Sequence, residues 1–529
     1  MNWTDVVPLA EIADHKGVVQ YVNGTALAIM RDGDEAFALG NTCAHRGGHL
    51  GDGWVANGRV ICPLHYWDFD LRTGISPYDP QHDAVPTYPC RVTDGMVQVD
   101  ADAVPAFPPL PDEYLTEWRR RGAGDRGMDQ VTHLAQGDFH DLSAMGSLRL
   151  NRPREDAPRM AILDQITFRP AQVARLPLLG DVPVDTSVTL GARAGTPLRL
   201  DIPVFVSHMS FGALSAEAKE ALAKGASAAG TAIASGEGGA LPAERDNANA
   251  YIFEMASGYF GWTEDNIRAA NAIEVKGGQG AKPGLGGTLP GTKVTAEIAA
   301  VRGVAPGTTV HSPAHFPDIN SVADLRARVD EIRGITDVPI GIKFAAGDVE
   351  ADVAAALEAG ADWITVDGLG GGTGAAPDHV KDHTGMPSII ALARARDFMQ
   401  REGVEDVQLI CTGGFRTPDE VGKALAMGAD AVALASASLI AAGCQQYRAC
   451  GSDACPVGIA TQDPRLRARL DVATSAKRVE MFLKSTTSLL VDYARLCGRH
   501  ATAHLCVDDL LAQDPDLARR LGIPSALPG

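Results

Sequence analysis

Long apolar runs are missing from this chain: none of its 529 residues fall in a stretch of transmembrane length, which needs about 20 consecutive apolar residues. The opening "MNWTDVVPLAEIADHKG" has no basic segment leading into an apolar one, so a secretory signal is not expected. Cysteine is scarce. Nine residues in a chain this long do not make a disulfide framework, and a reducing cytoplasm with thiols kept for metal is the expected setting. Positive charge is in deficit as well. Lys+Arg number 47 against 66 Asp+Glu, a formal net charge of −19, which argues against nucleic acid or an anionic membrane as partner. What is abundant is apolar mass, at 45% of residues, enough for a large core, and the length predicts two to four domains.

The scarce cysteines are clustered. From Val18 to Val99 the chain reads as short strands broken by Gly, Asn and Asp turns, which predicts a small all-β domain. Two loops of it carry Cys43-x-His45 and Cys62-x-x-His65, with 16 residues between the pairs. Two Cys and two His can hold zinc. Each pair mixes one Cys with one His, however, which suits an asymmetric [2Fe–2S] cluster in which two histidines replace two cysteines on one iron. On "CAHRGGHLGDG" and "CPLHYWDFDLRTG" this segment resembles a Rieske domain of the cytoplasmic ferredoxin and oxygenase type. His49 belongs to neither pair and is expected at the surface or behind the ligands. Such a cluster moves single electrons and activates no substrate, so chemistry is expected elsewhere in the chain.

A Pro-rich stretch, "DADAVPAFPPLPDEY", marks a linker. From about residue 200 apolar β-rich runs alternate with Ala-rich helical stretches: "IPVFVS", "TAIAS", "AIEVK", "TTVHS", "VPIGIKF", "DWITVD", "VQLICTGG" and "DAVALAS". Eight strands alternating with helices predict a parallel (β/α)8 TIM barrel, whose chemistry lies at the C-terminal strand ends. Three late strand ends lead into "DGLGGGTGAAP", "TGGFRTPDE" and "ASAS". Gly-rich turns feeding helix N-termini make an anion site, and a single phosphate on a barrel points to FMN. A third cluster, Cys444, Cys450 and Cys455 in the spacing C-x5-C-x4-C, follows the eighth strand. Three thiols without a fourth leave a three-iron cluster or three buried cysteines as readings. Cys411, at the seventh strand end, reads as buried packing, and Cys497 and Cys506 as core thiols.

The barrel also resembles the FMN domain of the glutamate synthase large subunit. The residues that carry this are "SHMSFGALS" from Ser207, "SGEGG" from Ser235, "KGGQGAKPGLGGTLPGTKV" from Lys276, "DGLGGGTGAAP" and "CPVGIATQ". The resemblance implies a [3Fe–4S] cluster on Cys444, Cys450 and Cys455. It implies FMN with Met209 and Ser210 at the ring and Lys343 at its N1/O2 side. Gly371, Gly372, Thr373, Gly413, Gly414, Arg416 and Ser436 are expected around the phosphate. For substrate it implies Glu237, Lys276, Gln279, Lys282 and Arg302, with Lys and Arg as anchors for a dicarboxylate. Leu285, Thr288 and Thr292 stand where that family has Glu, Gln and His, and neither its glutaminase domain nor its C-terminal β-helix is expected.

The expected organisation is a Rieske domain over 1–105, a linker over 106–160, the barrel over 161–470 and C-terminal helices over 471–529. The resemblance implies an iron–sulfur flavoprotein that passes electrons from the Rieske cluster through [3Fe–4S] to FMN for reductive amination of a 2-oxo acid. N-methylglutamate formation, another amine or imine oxidoreduction, and a non-catalytic electron relay are the rival readings. Expected partners are a 2-oxo acid with ammonia or an amine, a ferredoxin or separate NAD(P)H reductase, an amidotransferase and a second copy of the chain.

Overall fold

The computed structural model describes residues 1–44, 49–63, 67–77, 84–105, 128–135, 162–371, 376, 380, 383–447, 450–451 and 453–527. His45, His65, Gly372, Thr373 and nearly all of the expected linker lie outside the described residues. The chain divides into two units, one of Met1–Trp118 with Gln446–Val457 and Asp463–Arg469, the other holding the remainder.

The first unit is all β. Its tight hairpins are written in the sequence: Asn23–Gly24, Asn57–Gly58 and Asp94–Gly95 each take two successive positive φ angles, which a type I′ turn requires. They join the strand pairs Gly17–Val22 with Thr25–Asp32, Trp54–Ala56 with Arg59–Ile61, and Cys90–Thr93 with Met96–Asp100. Glu35–Gly40 and Thr87–Tyr88 complete a four-stranded sheet; Asp68–Asp70 and Trp3–Pro8 complete two three-stranded ones. One of its two apolar cores packs Leu39, Leu50, Val60 and Phe69 around both Cys43 and Cys62. The segment Asp463–Arg469 joins this unit, with the Arg465 guanidinium 4.0 Å from the centre of the Tyr21 ring.

The second unit is built on a closed barrel of eight parallel strands: β1 (Val204–Val206), β2 (Ile233–Ala234), β3 (Tyr251–Met255), β4 (Ala272–Lys276), β5 (Ile340–Ala345), β6 (Trp363–Asp367), β7 (Gln408–Thr412) and β8 (Ala431–Leu434). The expected fold class is therefore present, but one strand differs. Val310–His311, counted above as the fourth, pairs antiparallel with Thr288–Leu289 in an insertion between β4 and β5. The missing strand is β3, whose five residues are all buried and show no alternation of polar and apolar side chains. The first barrel helix, Ala216–Ala228, starts where Ser215 Oγ accepts from the Ala218 N–H. An antiparallel hairpin, Val188–Leu190 with Leu198–Leu200, packs its leucines on the barrel core of Phe205, Ile252, Trp363 and Ile410.

Close packing inside the barrel yields a first expectation. A Cβ on Gly341 of β5 would lie 2.1 Å from the Trp363 indole of β6. Gly341→Ala should cost about 1–3 kcal/mol or more of stability through overpacking, read as a lowered urea midpoint.

The expected C-terminal helices are present in part. Asp471 caps a 25-residue helix, Val472–Leu496. Beyond it the chain forms the strand Leu510–Ala512, paired with Ile166–Phe168, and a short helix, Pro515–Leu521. Cys497 is buried as expected. Cys506 is not a core thiol: it is half-buried and polar in its contacts, with the Arg499 guanidinium 2.9 Å from its sulfur and Asp509 accepting from it. Among the described residues no helix is long and apolar enough to cross a membrane.

Candidate active site

Parallel register sets the charged layer at the C-terminal ends of the strands. Glu254 of β3 lies opposite Glu274 of β4, and Lys276 of β4 opposite Lys343 of β5. Buried charges of this kind survive only when paired. Lys276 Nζ donates to Glu237 Oε2 at 2.8 Å and to Glu254 Oε1 at 3.3 Å. Glu274 Oε1 accepts from Trp363 Nε1 at 2.9 Å and Thr365 Oγ1 at 2.5 Å. Burial raises the pKa of the Glu237 carboxyl, but Lys276, Lys282 and Arg302 pull it down further, to about 2. For Lys276 burial pulls the opposite way, and Glu237 and Glu254 together raise its pKa above the usual lysine range.

Two adjoining cavities open beside this layer, on the "KGGQGAKPGLGG" loop. One is lined by Glu237, Lys276, Gln279 and Ser312 among others, the second by Lys282, Leu285, Thr288, His311 and Ser312. The second has a volume of about 260 Å³, the size of a small metabolite. Lys282 Nζ donates to Gly286 O at 3.0 Å, and its pKa is lowered, first by burial, with Glu237 opposing and Lys276 adding to the shift. Thr288 Oγ1 lies 3.2 Å from His311 Nδ1, and Leu285 is 46% exposed. The glycines let this loop lie against the acid: a Cβ on Gly287 would sit 1.8 Å from Glu237 Oε1. Gly287→Ala should therefore displace Glu237 from Lys276 and raise KM or ligand Kd about tenfold, while leaving the rest of the fold intact; equilibrium binding checks it.

The structure thus brings Glu237, Lys276, Gln279 and Lys282 to one place. Arg302 differs. It ends the helix Ala296–Arg302, is buried, donates to Phe211 O at 2.7 Å and lies over the Phe260 ring, and it lines neither cavity. Three neighbours were not foreseen: His208, Glu254 and Glu274. Each sits in or beside an apolar strand, and a carboxylate inside "YIFEM" or "AIEVK" is itself the signal that a partner awaits it. His311 was read as part of a strand, yet it closes the cavity opposite Thr288.

Around the barrel mouth, Met209 and Ser210 follow β1, Gly371 follows β6, Gly413, Gly414 and Arg416 follow β7, and Ser436 opens the helix after β8. Lys219, fully buried, donates to Ser235 O at 2.8 Å, pairs with Glu244 at 2.5 Å and also binds Met209 O, fixing the backbone after β1. The turns after β6 and β7 approach so closely that a Cβ on Gly414 would meet the Gly370 backbone at 3.0 Å. That bare backbone cradle suits a phosphate, so the residues present fit FMN. Lys343 Nζ lies 3.5 Å from Asp367 Oδ2 and 3.3 Å from His208 Nδ1.

Cys43 and Cys62 enter one buried cluster from two different loops, as a metal site built on paired loops requires. His49 pairs its backbone with Thr42, next to Cys43, and its ring lies 3.6 Å from Asp52. Cys444 follows the helix Ser436–Ala442, with its N–H donating to Leu439 O. Cys450 is exposed and Cys455 buried, both on the segment Gln446–Val457. Cys411 is buried and its thiol pKa is pushed well up by burial, the environment of an inert core cysteine.

A closed parallel barrel with a charged pocket at its C-terminal rim, preceded by a β domain that buries two cysteines in one cluster, defines a composite of two domain types. Comparison gives the families. Residues 163–500 match the conserved region in glutamate synthase, and residues 2–89 match the Rieske [2Fe-2S] domain. The chain is 36% identical to the glutamate synthase large subunit-like protein of Rhizobium meliloti (strain 1021), covering 76% of this chain and 94% of that one. It is 42% identical to the archaeal-type glutamate synthase (NADPH) of Thermotoga sp. (strain RQ2), covering 57% and 60%, and 42% identical to the archaeal glutamate synthase (NADPH) of Methanocaldococcus jannaschii, covering 55% and 58%. It spans little more than half the length of these last two relatives. Among solved structures it is similar to the flavin-binding domain of baker's yeast flavocytochrome b2, at 18% identity and a TM-score of 0.43, covering 70% of this chain and 80% of that one. The chain belongs to the glutamate synthase family and carries an N-terminal Rieske domain.

Proposed function

We propose that this protein is an iron–sulfur flavoenzyme that reductively aminates a 2-oxo acid, 2-oxoglutarate to glutamate being the leading reaction. One observation carries the reading: Lys276, Lys282 and Glu237 converge on small cavities at the C-terminal rim of the barrel, the end where barrels perform chemistry. Lys276, locked between two carboxylates, orients. Lys282, which donates to Gly286 O and has a lowered pKa, is the side chain able to polarise a 2-oxo or 2-imino group and to deliver a proton to nitrogen. Arg302 acts from beneath, through its charge on Glu237. FMN, held by the glycine turns, supplies hydride chemistry when bound.

The electron route runs from the Rieske cluster on Cys43, His45, Cys62 and His65 through a [3Fe–4S] cluster on Cys444, Cys450 and Cys455. Supporting it are the C-x5-C-x4-C spacing and the match to the glutamate synthase region, which spans all three cysteines. A ferredoxin or a separate reductase in a reducing cytoplasm is the donor, and ammonia or an amine comes from solution or from a partner.

A second reading has its own observation. Leu285 presents an exposed apolar wall to both cavities, beside the neutral Thr288. That favours an alkylamine as nitrogen donor, with an N-alkyl amino acid as product. Purified protein supplied with reduced ferredoxin, 2-oxoglutarate and either ammonium or methylammonium separates the two by mass spectrometry of the product. If neither amino acid forms while the reductant persists, reductive amination is the wrong reaction.

A further inference from the structure

The charged layer is continuous. From the cavity, Glu237 meets Lys276, Lys276 meets Glu254, and Glu254 Oε2 lies 3.7 Å from His208 Nε2. His208 Nε2 lies 2.6 Å from Glu274 Oε2, and His208 Nδ1 lies 3.3 Å from Lys343 Nζ, which faces Asp367 on its other side. The side chains of His208, Glu254, Glu274 and Lys343 are each at most 4% exposed. Three atoms at the centre, His208 Nε2, Glu254 Oε2 and Glu274 Oε2, have no aligned hydrogen-bond partner among the described residues and face one another.

Proton inventory makes this centre a two-state device. A lysine ammonium offers only N–H groups, so a hydrogen bond between Lys343 Nζ and His208 Nδ1 requires one of the two nitrogens to be bare. His208 Nε2 lies 2.6 Å from Glu274 Oε2, a charge contact that is not aligned as a hydrogen bond. If Lys343 is the donor, Nδ1 is bare and the ring proton is on Nε2, beside the Glu274 carboxylate. His208 Nδ1 becomes able to accept a proton once the Lys343 N–H turns away, in a layer where Glu237, Glu254, Glu274, Lys276 and Lys343 make charge expensive to leave unbalanced.

We propose that His208 is a positioning residue that stores a proton for Lys343, linking the charge beside Lys343 to the ionisation of the substrate cavity. The inference rests on the reading that FMN lies against Lys343. When negative charge develops there, Lys343 turns its N–H groups toward it, and Nδ1 takes up a proton from solvent. One N–H bond forms at Nδ1, one O–H bond of hydronium breaks, and no electrons move at the imidazole. When the negative charge leaves, the proton returns by the reverse step.

Two measurements test this. In flavin-free protein labelled with 15N-histidine, the His208 signal, assigned by its loss in His208→Gln or His208→Asn, should show a bare Nδ1 and a protonated Nε2 near neutral pH. An imidazolium or the opposite tautomer overturns the proposal, and this arm needs no flavin. In flavin-loaded protein reduced anaerobically with a pH indicator, the wild type should take up one proton more per flavin reduced than His208→Gln. Equal uptake overturns the proposal. A protein that binds no FMN defeats the functional reading instead and leaves the tautomer result standing.

Discussion

Lys276→Met should destabilise the folded chain by about 3–5 kcal/mol, the cost of breaking a buried ion pair from one side. The lysine head lies between Glu237 and Glu254, whose side chains are 18% and 0% exposed, and no other lysine or arginine nitrogen lies within ion-pairing distance of either carboxylate among the described residues. Removing it leaves two acids in a low-dielectric layer. The sign of the pH effect follows. In the wild type the Glu237 carboxyl is depressed to about 2 from a usual 4.5, so its stabilising contribution is present above pH 4.5 and lost as pH falls toward 2. In the variant burial is no longer opposed by Lys276, only by Lys282 and Arg302, so the carboxyl's affinity for a proton rises. The penalty should thus be largest near neutral pH and shrink on acidification, as read from urea midpoints at two pH values. Adding Glu237→Gln should recover part of the loss, a coupling expected of residues in contact.

Lys282→Ala should lower kcat/KM by about 10²–10³ and stability by no more than about 1 kcal/mol, since among the described residues its side chain makes one hydrogen bond, to Gly286 O. This split between activity and stability is the mark of a working side chain. Burial has lowered its pKa from 10.5, so activity that needs its proton falls as pH rises through a value below the normal lysine range. Lys282→Arg, which keeps its charge to higher pH, should move that alkaline limb upward even if the maximum rate drops. A pure electron relay would be indifferent to both Lys282 substitutions, and unchanged electron transfer with full activity in Lys282→Ala would favour it.

Seven of the eight barrel strands were legible because "IPVFVS", "VPIGIKF" and their like are apolar, β-branched and bounded by turns. Tyr251–Met255 escaped because its five residues are all buried, with no alternation of polar and apolar side chains, and only a single helical turn, Pro242–Arg245, precedes it. Val310–His311 misled for the opposite reason: two β-branched threonines and a valine look like a strand whichever sheet takes them. In the site, Glu237, Lys276, Gln279 and Lys282 could be named because the resemblance carries them over and they lie in or beside glycine-rich segments. The layer behind them could not. Nothing in spacing says that residues 208, 254, 274 and 343 share one level; only barrel closure and the register of β3, β4 and β5 bring them together. Arg302 reads as an anchor in the sequence but is drawn under the loop by Phe211 O and Phe260, partners more than 40 positions away.

The central claim, that the N-terminal cluster feeds an imine-reducing pocket in the barrel, meets its most direct test in a single turnover. Protein is reduced anaerobically, freed of excess reductant, and mixed with 2-oxoglutarate and ammonium while the Rieske signal is followed by EPR on frozen samples. The account expects that signal to decay as glutamate accumulates, one glutamate for each pair of electrons lost, with no decay when either substrate is omitted. A Rieske cluster that stays reduced while both substrates are present would contradict it.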